Sequence, residues 1–245
     1  DAFFMGDYYL GTKWKLYTLI FMMKNSIPFL ILLFLVIALL KWNMPEDRMS
    51  LYLIMAAIVI YPLSFLFSKV YGGLTYLLPL YPFMFIFMSN LVNYKQLKSK
   101  LFKWMFIILI ASYIIVSLLA FPGYKSYFNS FAGGSENGYM VSILDTDYHQ
   151  DMYRLNDYVQ QNDIHGLKVN YSSYSRFLQH QSIDYLPLEG NNPQIGLLAV
   201  DANALIGHTR YQYDDFAWLR KLQPIDRIGD TIFIYNVTEQ DLLGI

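Results

Sequence analysis

Four long apolar runs occupy the first half of the chain, at about residues 19–40, 51–67, 77–92 and 101–121. A helix that crosses a bilayer needs roughly 20 mostly apolar residues, because the hydrocarbon core is about 30 Å thick. The pattern therefore predicts four transmembrane helices. The first run carries Lys24 and Asn25 near its start, and the third is short. Pro79 and Pro82 stand at the entry to the third run, just after Gly72-Gly73, so that entry is expected to bend or to begin a helix.

After residue 121 the pattern changes. Met152, Leu155, Tyr158 and Val159 recur at helical spacing and predict a helix over 148–161, with Asp147 where an N-cap belongs. Short apolar segments at 167–171, 183–186 and 195–200 read as strands. Residues 172–179 and 213–221 read as helices. The segments 225–228 and 231–236 flank Gly229-Asp230, a hairpin signal. Strands that alternate with helices predict a small α/β domain. The expected fold class is therefore a membrane α-helical region of about four helices, residues 1–121, followed by an extracytoplasmic α/β domain, residues 122–245.

Charge sharpens this division. Residues 1–121 carry ten basic and four acidic residues, a net +6, and residues 122–245 carry eight and fifteen, a net −7. Charged residues make up only 15% of the chain, against roughly 25% in an ordinary domain, so a disordered chain is excluded. Lys95, Lys98, Lys100 and Lys103 cluster within 93–103 without an acid, which predicts a cytoplasmic loop there and an outward-facing second half in a cell membrane. The acidic second half disfavours nucleic acid as a partner. Cys is absent, which excludes disulfides, thiolate metal sites and cysteine nucleophiles.

One segment concentrates polar chemistry. Asp145, Asp147, His149, Gln150 and Asp151 lie within seven residues. Such a set can form a solvated helix start, face a substrate as general base or hydrogen-bond partner, or bind a divalent cation. No cofactor follows from the sequence beyond that cation alternative. Lys24 is open to two readings, a snorkelling side chain at the membrane surface or a phosphate ligand.

Several segments in order resemble one family. These are Phe4-Met5-Gly6-Asp7, then Gly11, Trp14 and Tyr17, then Lys24-Asn25-Ser26-Ile27-Pro28. Gly73-Leu74-Thr75-Tyr76-Leu77-Leu78-Pro79-Leu80-Tyr81-Pro82 is similar to a "G-x-R-Y-L-L-P-x-Y-P" segment. Tyr127-Phe128-Asn129-Ser130-Phe131-Ala132-Gly133-Gly134 with Glu136-Asn137-Gly138-Tyr139 is similar to "Y-F-N-E-x-A-G-G-P-x-N-G". Asp147-Tyr148-His149-Gln150-Asp151 stands at the place of "D-W-G-Q-D", and the stretch from Phe216 to Pro224 with Tyr235 is similar to a closing strand region. The family is the polytopic C-type glycosyltransferases, relatives of dolichyl-phosphate-mannose–protein mannosyltransferases. Thr75 stands where the family has Arg, and Tyr148-His149 where it has Trp-Gly.

The resemblance implies transfer of a sugar from a polyprenyl-phosphate donor in the membrane lipid to an acceptor glycan, lipid or protein on the outer face. It implies a substrate-binding set of Lys24, Lys69, Tyr76, Tyr81, Asn129, Asp145, Asp147, His149, Gln150 and Asp151. The first residue is Asp, so the chain reads as the C-terminal portion of a longer enzyme, with the catalytic carboxylate expected upstream and no catalytic residue assigned here. The alternatives are a non-catalytic membrane protein whose outer domain binds a partner or glycan, and a transporter, which the lack of a visible inverted repeat disfavours.

Overall fold

A computed structural model describes residues 2–9, 14–40, 48–65, 71–93, 99–170, 185–207 and 215–244. It falls into two units. One comprises Tyr8–Gly134 with Asp1–Ala2, and the other comprises Ser135–Ile245 with Phe3–Asp7. Short strands β1 (Ala2–Phe4) and β2 (Asp7–Tyr9) pair with each other.

The first unit is helical: α1 (Trp14–Lys24), α2 (Ile27–Leu40), α3 (Arg48–Leu63), a 3₁₀ turn (Leu74–Leu80) that runs into α4 (Tyr81–Ser89), and α5 (Lys100–Leu119). Phe29, Leu32, Val36 and Leu39 make the buried stripe of α2, while Phe34 and Ile37 on its other side stay exposed. Phe29 packs edge-on or tilted against Phe21, Tyr81, Phe85 and Tyr113, which ties α2 to α1, α4 and α5.

The structure overturns the expectation of about four transmembrane helices. Among the described residues one helix, α5, is long and apolar enough to cross a membrane. A second crossing exists only if α1 and α2 count as one span, and they are bent by 113° at Asn25-Ser26. The remaining runs are interrupted. Helix α3 has 16 residues with Pro62 inside it. The third run is a 3₁₀ turn holding Pro79, followed by only nine α-helical residues. A 14-residue helix such as α2 reaches about 21 Å, short of a hydrocarbon core of about 30 Å. Apolarity is continuous along these runs, but the helical backbone is not. Among the described residues the fold is mixed α/β, with no several-span helical bundle. No residue of α5 is fully buried: Phe106 and Tyr113 on one face are half-buried towards α2 and α4, and Ile108, Ile115 and Leu119 elsewhere on the helix are exposed.

The second unit is built on a five-stranded sheet of order β4-β3-β5-β7-β6, with β3 (Lys168–Asn170), β4 (Leu186–Leu188), β5 (Gly196–Asp201), β6 (Asp226–Ile228) and β7 (Ile232–Val237). Strands β4, β3 and β5 run parallel, and β7 and β6 are antiparallel additions. The short helix α6 (Gly138–Val141) precedes α7 (Met152–Gln161), which packs Met152, Leu155 and Val159 onto Val169, Ala199, Ile228, Ile232 and Ile234 of the sheet. The central strands β5 and β7 are buried over nearly their whole length, so they read as apolar runs without alternation. Two short helices, α8 (Ala202–Leu205) and α9 (Glu239–Leu243), follow β5 and β7.

The hairpin expected around Gly229-Asp230 is present, with Ile228 paired to Ile232 and Gly229 at φ 57°. The helix expected over 213–221 is instead a 3₁₀ turn at Leu219–Lys221 preceded by turns from 215, while 213 and 214 lie outside the described residues. The helix expected over 172–179 also lies outside them.

Candidate functional site

The expected site residues divide between the two units, and each group is described by itself. In the first unit the bend at Asn25-Ser26 ends α1 and starts α2. Lys24, the last residue of α1, donates from Nζ to the carbonyl of Lys125 at 2.5 Å and lies 4.3 Å from the centre of the Phe128 ring. The side chain is thereby fixed, unlike a lysine that reaches freely for water. Tyr81, the first residue of α4, donates its phenol to Asn25 Oδ1 at 2.9 Å. Asn129 is buried and acts as a staple. Its Nδ2 donates to the carbonyls of Met22 and Asn25, both at 2.7 Å, and its Oδ1 accepts from the Phe131 N–H. One of the last carbonyls of α1, that of Met22, which a helix end leaves without an intrahelical partner, and the carbonyl of Asn25 at the bend are satisfied in this way.

Two cavities adjoin these residues. A polar one of about 200 Å³ is lined by Lys24, Asn25, Ser26 and Tyr81 together with Tyr113, Tyr124 and Tyr127. An apolar one of about 400 Å³ lies between α2, α4 and α5, lined by Phe29, Leu32, Phe85, Met88, Phe106 and Ile110, and again by Tyr113. Tyr76 is outside both: it is half exposed, its carbonyl accepts from the Tyr61 phenol, and its ring lies so close to Gly72 that a Cβ there would sit 1.5 Å from it. Thr75 is exposed. Lys69 lies outside the described residues.

In the second unit the acidic segment is held down residue by residue. Asp145 is buried and accepts from the Ser142 hydroxyl at 2.7 Å. Gln150 closes a local turn, donating to the Thr146 carbonyl and accepting from the Tyr148 N–H. Helix α7 begins at Met152, so Asp151 and not Asp147 occupies the cap position, and its side chain makes no cap bond. The Asp151 carboxylate instead accepts from Asp230 N–H, Thr231 Oγ1 and Arg154 Nη1, at 2.9, 2.8 and 3.0 Å. A Cβ on Gly229 would meet that carboxylate at 2.2 Å, which explains the glycine at this turn.

Asp147 reaches the carboxyl end of the parallel strands. Its side chain is fully buried and accepts from His149 N–H at 2.7 Å and Asn203 Nδ2 at 2.6 Å. Beside it, Asp201 at the end of β5 caps α8 through the Ala204 N–H and accepts from Nδ2 of Asn170, the last residue of β3. Burial, reinforced by the Asp201 charge, pushes the Asp147 carboxyl up to about 7. His149 stands at φ 64°, a left-handed conformation that residues other than glycine seldom adopt. Its Nδ1 is 3.9 Å from Asp147, and burial lowers its pKa against the opposing pull of Asp201.

The carboxylates of Asp145, Asp147 and Asp151 point to different donors and do not converge. Among the described residues no three His, Asp or Glu side chains come together to hold a metal ion. Sequence reasoning missed Asn170, Asp201 and Asn203 as partners of Asp147. Asp201 is followed three residues later by a buried N–H of a short helix, an N-cap signal that could have marked it. It also missed Ser26 as a site residue, although a serine just before an apolar helical run is itself such a signal. Comparison of the chain with family models, with curated proteins and with solved structures finds no match.

Proposed function

We propose that this chain belongs to a membrane-bound glycosyltransferase that moves a sugar from a polyprenyl-phosphate donor to an acceptor on the outer face. The observation that carries the reading is the apolar cavity of about 400 Å³ beside α5, the helix long and apolar enough to cross a membrane. Its volume is in the range of small-molecule sites, and its walls are aliphatic and aromatic, as an isoprenoid chain requires. The five ordered motif segments support the same donor class. The lysines just before and within the start of α5 supply orientation: a basic end prefers the cytoplasm, so α5 runs outward and the second unit lies outside. In this reading the second unit faces the acceptor.

The test is sugar transfer by membranes containing the full-length protein, supplied with a radiolabelled polyprenyl-phosphate sugar. Labelled acceptor is expected, and Ile110→Trp, which fills the cavity, is expected to raise the donor KM at least about tenfold. Absence of transfer from every polyprenyl-phosphate sugar tried, with the protein folded, refutes the reading.

A further inference from the structure

The polar pocket at the α1–α2 bend contains an unspent donor. Ser26 is 8% exposed, lines the pocket, and its hydroxyl has no hydrogen-bond partner. Native proteins leave few buried polar groups in that condition, and each such group calls for a reason. Ser26 also stands directly before α2, a helix of 14 residues. In the first turn of α2 the N–H groups of Ile27 and Phe29 have no partner within the helix, Pro28 carrying none, and the helix dipole favours negative charge there. Lys24, pinned by the Lys125 carbonyl and the Phe128 ring, places a positive charge on the same wall. None of the residues lining the pocket is acidic. Tyr127, on the pocket wall, has its phenol pKa raised by burial, so it remains a proton donor at neutral pH.

We propose that this pocket is an oxyanion site for a phosphate ester, in which the Ser26 hydroxyl and the N-terminus of α2 donate to the phosphate oxygens and Lys24 supplies the countercharge. Hydroxyl, helix terminus and lysine together match a tetrahedral oxyanion with several oxygens to satisfy. The inference deepens the donor reading, on which it rests for the source of the phosphate. Tyr113 lines both cavities, so a phosphate at Ser26 is followed by an apolar path along α5. The site is independent of position 75, where this chain has an exposed threonine in place of a cation.

Binding of geranylgeranyl phosphate, geranylgeraniol and inorganic phosphate to the detergent-solubilised full chain tests this, in wild type, Ser26→Ala and Lys24→Gln. Geranylgeranyl phosphate is expected to bind more tightly than the alcohol. Ser26→Ala is expected to weaken the phosphate ligand about tenfold, the value of one hydrogen bond to a charged group. The same variant is expected to leave the Tm of the unliganded protein unchanged or raised, because it removes an unpaired hydroxyl. Lys24→Gln is expected to weaken the phosphate ligand and not the alcohol. Competition by inorganic phosphate at similar concentrations assigns a free anion to the site, and its absence assigns a lipid head group; either result supports the oxyanion site. Equal affinity for phosphate and alcohol, or wild-type affinity in both variants, overturns it. If sugar transfer fails while Ser26-dependent binding holds, the transferase reading falls and this site stands. Transfer with no dependence on Ser26 or Lys24 overturns the site alone.

Discussion

Asp147→Asn is expected to remove a pH dependence from the stability of the second unit. The wild-type carboxyl moves from 3.8 when exposed to about 7 when buried beside Asp201. Folding therefore takes up a proton between those values, and the folded state binds more protons than the unfolded one. The sign follows: this group's penalty is absent below about pH 4, grows as pH rises, and is complete once pH passes the folded value near 7. Integrated between pH 5 and pH 8, one such carboxyl lowers stability by about 2.5 kcal/mol. His149 works in the opposite direction, because its lowered pKa makes stability rise with pH up to its unfolded value, so the observed fall is at most that large. The amide variant keeps one hydrogen bond but turns an N–H towards either Asn203 Nδ2 or the His149 N–H. Its absolute stability at pH 5 is therefore expected to fall by about 1–3 kcal/mol. The assay is hydrogen exchange of the α7 amides in the full chain at pH 5 and pH 8, corrected for intrinsic exchange. The variant is expected to gain on the wild type by about 1–2.5 kcal/mol over that interval. A gain below about 0.5 kcal/mol refutes the buried, like-charged pairing of Asp147 and Asp201.

Two further outcomes are expected. Asn129→Ala leaves the Met22 and Asn25 carbonyls and the Phe131 N–H without their partner, and should destabilise the first unit by about 2–3 kcal/mol, read as a lower Tm in detergent. Ile108→Asp places a charge on the exposed middle of α5, which costs roughly 3 kcal/mol at the centre of a spanning helix, and should lower the fraction of chain retained in alkali-washed membranes; unchanged retention would show that α5 does not cross.

Much of the second unit was legible because its signals are local. Met152, Leu155 and Val159 recur at helical spacing and do face the sheet. The Gly229 turn, the strand at 196–201 and the final strand lie close to where alternation and turn chemistry put them. The acidic segment was visible as a cluster but misread as the start of a helix at Asp147. Asp147 takes its environment from Asp201 and Asn203, more than fifty residues away in the chain, and Asp151 from a hairpin almost eighty residues on. Burial and neighbouring charge, which decide the protonation of Asp147, exist only after those segments meet.

The sequence by itself determined that the first half is apolar and basic, that the second is acidic, and that cysteine chemistry is absent, because composition and charge do not depend on how the chain folds. It also located α5, an uninterrupted apolar run with no proline or glycine within the helix. Tertiary structure decided how many of the apolar runs are continuous helices. Asn25-Ser26, Pro62 and the Gly72–Pro82 stretch interrupt the hydrogen-bonded ladder without interrupting the apolar pattern, so hydropathy counted four runs where the described residues supply one full-length helix and one bent pair. The bend that removed a straight span is also what exposes the N-terminus of α2 beside Lys24. It leaves the Ser26 hydroxyl unpaired against a pocket, a feature of geometry that no spacing along the chain could announce.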